Sequence, residues 1–216
     1  MPITEVDLSS NISVQNYKNS ILNEIAENNQ EIIQDEKNPA IKKASIMAAS
    51  ATTYNASAAV TYANKYALNP NHAYMNNESG GGDCTNFASQ VLHEGGGIPM
   101  HSGNNGYNNC WFYSSSSNRS TSWAGAQYLY DYLFSSVSKI NASATTFSGI
   151  STGDLIQLGT TSSITHSMIV TGIVSGSSGR TDLLVTYRST AGYHKKNVLL
   201  STRLGTRQYI HIAGSK

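Results

Sequence analysis

Gly80-Gly81-Gly82-Asp83-Cys84-Thr85-Asn86-Phe87-Ala88-Ser89-Gln90 carries three glycines directly into a cysteine and then into a helical pattern. Phe87 and Val91 are four apart, as are Ala88 and Leu92, so one apolar stripe faces a core. Three glycines do not belong inside a helix and read as the turn that delivers the chain into it. Cys84 therefore falls at the first helical turn. There, unpaired N–H groups and the positive end of the dipole favour a thiolate, so the sequence predicts a lowered thiol pKa. The glycine approach also leaves room for a substrate. Against this stands the commoner fate of such a cysteine, a small buried hydrophobe.

The chain has 216 residues, enough for one medium domain with an extension. Charged residues are only 12%, and Ser, Thr, Asn, Gly and 13 Tyr fill the difference, a composition seen in extracellular bacterial proteins. Charge is unevenly spread: residues 1–50 hold four Lys against seven acids, whereas 51–216 hold ten Lys or Arg against six. The basic excess near the C-terminus suits a solvated edge better than a nucleic-acid surface, and no nucleic-acid partner is expected. Cys84 and Cys110 make no disulfide framework, and both thiols are expected to be free. No CxxC or comparable ligand spacing suggests a metal; a set of Cys84, His166 and His194 lacks any short-spaced pair. No cofactor is implied. No apolar run reaches the roughly 18–20 residues of a membrane span, and no signal peptide is visible at Met1-Pro2-Ile3-Thr4-Glu5.

Helical patterns are predicted over 14–38, 40–51 and 56–67, making residues 1–50 a helical extension or linker before a domain over 51–216. After the cysteine helix, Gly95-Gly96-Gly97 stops regular structure, and 101–122 reads as a long polar loop. Its Cys110-Trp111-Phe112-Tyr113 run reads as an ordered wall of a site. Ser122 is a plausible cap of a further helix bearing Leu129 and Leu133. From Gly153 the pattern turns to strands at 154–158, 166–173, 183–187, 197–200 and 208–212, separated by glycine turns. Helices first and an antiparallel meander afterwards mean α+β. His166 stands at the mouth of the second of these strands, where an imidazole can meet a cysteine at a helix start.

Residues 81–90 resemble the bacterial amidase domain family, a papain-like cysteine group related to the NlpC-type and CHAP cell-wall hydrolases. The likeness extends to the Ala- and Tyr-rich helix ending at Asn69-Pro70, to Gly95–Gly97 with Pro99-Met100, and to Trp111 and Ser122-Trp123. It continues through Gly153-Asp154-Leu155-Ile156 and His166-Ser167-Met168-Ile169-Val170-Thr171, covering roughly 54–212. The resemblance implies a papain-like core, with the cysteine helix packed on an antiparallel sheet. It implies Cys84 as nucleophile, His166 as general acid and base, and the Cys84 N–H as an oxyanion donor. The implied substrates are peptidoglycan peptides or other amides, at a secreted or wall-associated location; an acyl transferase and a decayed wall-binding module are the alternatives. The third, imidazole-orienting position departs from the family, with Arg188 where a histidine is expected; a guanidinium cannot accept a hydrogen bond. Ser189, a backbone carbonyl or a water is the expected stand-in, and His194, displaced by a few residues, is another option. Asp83, Trp111, Trp123 and Arg188 are the candidate substrate contacts, Arg188 through its affinity for carboxylates.

Overall fold

A computed structural model describes residues 52–103, 109–177 and 179–216. The helices expected over 14–38 and 40–51 lie outside these residues. The described part is α+β, with a six-stranded antiparallel sheet and a few short helices.

Helix α1 spans Ala56–Tyr66, capped by the Asn55 side chain, which accepts from the Ala58 N–H. Its small buried residues, Ala59 and Ala63, let a second helix approach closely. That helix, α2, spans Cys84–Gln90 and widens into a π turn over Val91–Gly95. The end of α2 is packed against α1, and glycine is required there. A Cβ on Gly95 would stand 2.7 Å from the Ala59 Cα, and one on Gly96 1.9 Å from the Tyr54 ring.

The segment read as a long loop contains a small hairpin, β1 (Tyr113–Ser115) with β2 (Asn118–Arg119). The helix expected from Ser122 is two pieces, α3 (Thr121–Ala124) and α4 (Ala126–Leu133), broken at Gly125. Ser120, not Ser122, stands at the cap position, and the Ser122 hydroxyl instead donates to the Cys110 carbonyl.

The sheet comprises β3 (Ile140–Ala144), β4 (Leu155–Thr160), β5 (Ser163–Gly176), β6 (Gly179–Tyr187), β7 (Lys195–Leu199) and β8 (Arg207–Ser215). Their spatial order is β3-β8-β4-β5-β6-β7. The consecutive strands β4 to β7 form the expected meander, while β8 returns to lie between β3 and β4. Both faces of the sheet are covered. On the helix face, Leu155, Ile169, Ile210 and Ile212 pack with Phe87, Val91, Leu92, Trp111, Trp123 and Leu129. On the opposite face, Ile156, Met168, Val170, Leu183, Val185 and Tyr187 close over Ile150 and Leu200. Each such aliphatic side chain contributes roughly 1.5–3 kcal/mol by leaving water. Side chains alternate between faces along each strand, so the parity of a residue decides which core it meets.

Candidate active site

Cys84 is the first residue of α2, following Asp83 and the glycines Gly81 and Gly82, whose φ values of 102° and 115° only glycine adopts readily. The cysteine is half-buried, with its sulfur 3.7 Å from the Thr85 hydroxyl. Burial pushes the Cys84 thiol up; hydrogen bonds from the Thr85 hydroxyl and from the backbones of Ser167 and Thr85 oppose that, and the nearby Asp83 charge adds to it. The thiolate expected from the helix start is thus not favoured in the resting site, because desolvation outweighs these hydrogen bonds.

The polar residues after Cys84 are structural pins. The Thr85 and Ser167 hydroxyls are 3.0 Å apart, and Gln157 donates to the Ser167 hydroxyl and to the Ala126 carbonyl, both at 3.0 Å. Asn86 donates to the Met75 carbonyl at 2.7 Å and to Asp83 at 2.8 Å, while its own carbonyl accepts from the Trp123 indole at 2.9 Å. Ser89 accepts from the Trp111 indole at 3.0 Å and donates to the Trp123 carbonyl at 2.8 Å. This network fixes the head of α2 against β5 and against the aromatic core. It also relocates Trp111 and Trp123. Both are fully buried, with their N–H groups already bonded, and offer a substrate no surface. They shape the site from behind.

Asp83 and Arg188, each 1% exposed, form a buried ion pair with Arg188 Nε 2.7 Å from Asp83 Oδ2. Arg188 also pairs with Glu78 and donates to the Ala67 carbonyl at 3.1 Å. The guanidinium is therefore committed to the protein's own carboxylates and is not offered to a substrate. Asp83 in turn accepts from the Asn77 backbone at 3.0 Å, which ties the glycine turn to β6 through one carboxylate. Glu78 accepts from His194 Nε2 at 2.9 Å, and His194 Nδ1 accepts from the Ser189 N–H at 2.9 Å. Burial acts to raise the Glu78 pKa, yet the Asn76 hydrogen bond and the charges of His194 and Arg188 leave it lowered. Glu78 escaped the sequence reading. The signal was available, since a buried arginine requires carboxylates and Asp83 alone does not satisfy five donors.

His166 lies one residue from Ser167 but points the other way. Ser167 meets α2, so parity sends His166 to the opposite face, where its ring stands edge-on to Tyr187 with centroids 4.6 Å apart. Burial, then the Arg203 charge, push its pKa down to about 4, which leaves the imidazole neutral near pH 7. Among the described residues no hydrogen bond joins His166 to Cys84 or to Ser189. Ser189 and His166 do line one cavity, of about 530 Å³, on that face. A β-bulge at Thr165 adjoins His166: Leu158 pairs with His166 and Gly159 with Ile164, leaving Thr165 without an opposite residue.

On the helix side, a cleft of about 370 Å³ opens between Asn77, Arg119, Thr121 and Tyr128. Asn77 donates from its side chain to the Gly82 carbonyl at 3.0 Å, so this cleft begins at the turn before Cys84. Cys84 and Cys110 form no disulfide with each other. Among the described residues no cluster of His, Cys, Asp and Glu could hold a metal ion, and no helix is long and apolar enough to cross a membrane.

The family model described as "Putative amidase domain" matches residues 53–211. The chain belongs to this family. No curated protein and no solved structure matches it. The match spans α1, the cysteine helix and nearly all of the sheet, so the amidase domain and the described fold coincide. Membership supports amide hydrolysis as the general chemistry.

Proposed function

We propose that this amidase domain is a cysteine-dependent amide hydrolase with Cys84 as nucleophile and a papain-like arrangement of helix and sheet. The observation that carries the reading is the position of Cys84: it heads α2 behind a glycine turn, half-buried, with its sulfur 3.7 Å from the Thr85 hydroxyl. An imidazole brought to Cys84 takes the thiol proton and offsets the desolvation that disfavours the thiolate in the resting site. The thiolate attacks the amide carbonyl, and the oxyanion is met by backbone N–H groups at the start of α2. An imidazolium protonates the departing amine. Water then attacks the thioester, giving up a proton to the imidazole, and releases the acid, which restores the thiolate–imidazolium pair. An amine in place of water would make the same site an acyl transferase.

The resemblance assigns the imidazole to His166, whose ring lies on the sheet face opposite Cys84, so this assignment requires the bulge at Thr165 to move. Shifting that irregularity by one residue re-aims the ring towards the helix face. A second reading assigns it to His194. This is supported by its bond to Glu78, which shares Arg188 with Asp83, the neighbour of Cys84. The substrates we propose are peptidoglycan peptides or related bacterial amides at a secreted or wall-associated location, and the cleft at Asn77 and Tyr128 is the proposed groove for them.

Iodoacetamide alkylation of Cys84 across pH, in wild type, His166→Ala and His194→Ala, tests the pair. Fast alkylation well below the ordinary thiol pKa of about 8.5, lost in one of the two variants, identifies the imidazole. Slow alkylation titrating at or above that value in all three proteins refutes a thiolate–imidazolium pair.

A further inference from the structure

The cavity on the sheet face opposite Cys84 is a second candidate site, and it does not depend on the amide-hydrolase reading. It is lined by His166, Tyr187, Tyr193, Lys195, Arg203 and Leu204 among others, and no acidic residue lines it. Its volume of about 530 Å³ falls within the range of small-molecule sites. Two cationic residues, Lys195 and Arg203, line it without a carboxylate partner among the described residues. Arg203 donates to the Tyr187 hydroxyl at 2.7 Å and to Thr202 at 3.1 Å, and Lys195 enters no ion pair. At the rim, Tyr193 and Leu204 are 68% and 91% exposed, large apolar groups that a ligand would cover.

We propose that this cavity binds a carboxylate-bearing small molecule of about dipeptide size, its carboxylate between Lys195 and Arg203 and its body against Tyr193 and Leu204. Arg203 is already oriented by Tyr187 and Thr202, so little side-chain freedom is lost when it meets a carboxylate. His166 reports on occupancy. It is held neutral by burial and by the Arg203 charge, and the titratable or charged groups around it in the cavity are Tyr187, Tyr193, Lys195 and Arg203. An anion beside Arg203 offsets that charge and raises the His166 pKa from about 4.

The test is a proton NMR titration of the His166 ring in the full chain with N-acetyl-L-alanine, using N-acetyl-L-alanine amide as the neutral control. The acid is expected to bind, shift the ring signal and raise its pKa, while the amide does neither. Lys195→Gln and Arg203→Gln should each weaken binding about tenfold. Lys195 is only half-buried, so its variant decides the matter if Arg203→Gln misfolds. Equal response to acid and amide, unchanged affinity in Lys195→Gln, or no shift at about 10 mM acid would overturn the proposal. Alkylation of Cys84 is read separately, so failure here leaves the amide-hydrolase reading standing, and the reverse also holds.

Discussion

Arg188→Met is the substitution that strains this fold most directly. The guanidinium is 1% exposed and bridges Asp83 and Glu78, with Asp83 equally buried. Methionine fills most of the stem's volume but leaves Asp83 without its charged partner inside the protein. Removing one member of a buried ion pair costs about 3–5 kcal/mol, much of it the uncompensated charge left behind. Native stabilities are about 5–15 kcal/mol, so about a fifth or more of the total is at stake. In a domain of this size the fall in Tm should be roughly 10 °C. Thermal melts measure that fall, and urea denaturation followed by circular dichroism measures the free-energy losses, for wild type, Arg188→Met, Asp83→Asn and the double variant. The double variant should lose less than the two single losses combined, by more than about 1 kcal/mol, because the second change removes the charge that the first one stranded. A loss below about 1 kcal/mol in Arg188→Met, or strict additivity, would show that the pair does not hold the glycine turn to β6.

Gly96→Ala places a Cβ 1.9 Å from the Tyr54 ring and 2.8 Å from the Leu92 carbonyl, and should destabilise by about 1–3 kcal/mol in the same denaturation assay. His166 has a folded pKa near 4, below its ordinary value of about 6.5. The unfolded chain therefore takes the proton first, and stability falls as pH drops from about 6.5 to about 4, then levels off. The loss is about 3 kcal/mol at most, reduced by the ring's partial exposure, and urea midpoints against pH should flatten in His166→Gln. A chain lacking residues 1–50 should keep the wild-type alkylation rate of Cys84, measured by intact mass, if residues 51–216 are the catalytic unit.

The strands β4 to β8 were legible because each is an apolar run bounded by glycine turns, and each falls within a few residues of its expected place. Strand β3 was not: Ile140-Asn141-Ala142-Ser143-Ala144 holds one large apolar residue, and its place at the sheet edge comes from pairing with β8. The break at Gly125 was also missed, since the helical spacing of Leu129 and Leu133 continues across it. The direction of His166 was hidden for a specific reason. Met168, Ile169 and Val170 are all buried because both faces of β5 are covered, so the strand shows no apolar–polar alternation from which to read parity. The polar loop around Trp111 suggests a site wall, and Trp123, at the opening of the next helix, a substrate contact. Their indole N–H groups are instead satisfied by Ser89 and Asn86, so the residues after Cys84 build a core as well as a site. Arg188 was noticed as a departure, but its partner Glu78 lies 110 positions away in a stretch with no periodic pattern.

The most direct test of Cys84 as nucleophile is intact-protein mass spectrometry during turnover of a panel of stem-peptide amides, with rapid acid quench. A transient mass gain equal to the acyl group, mapped to Cys84 and absent in Cys84→Ala together with all amine release, is the expected result. Amine release that persists in Cys84→Ala, or turnover with no adduct on Cys84 under any quench time, would contradict it.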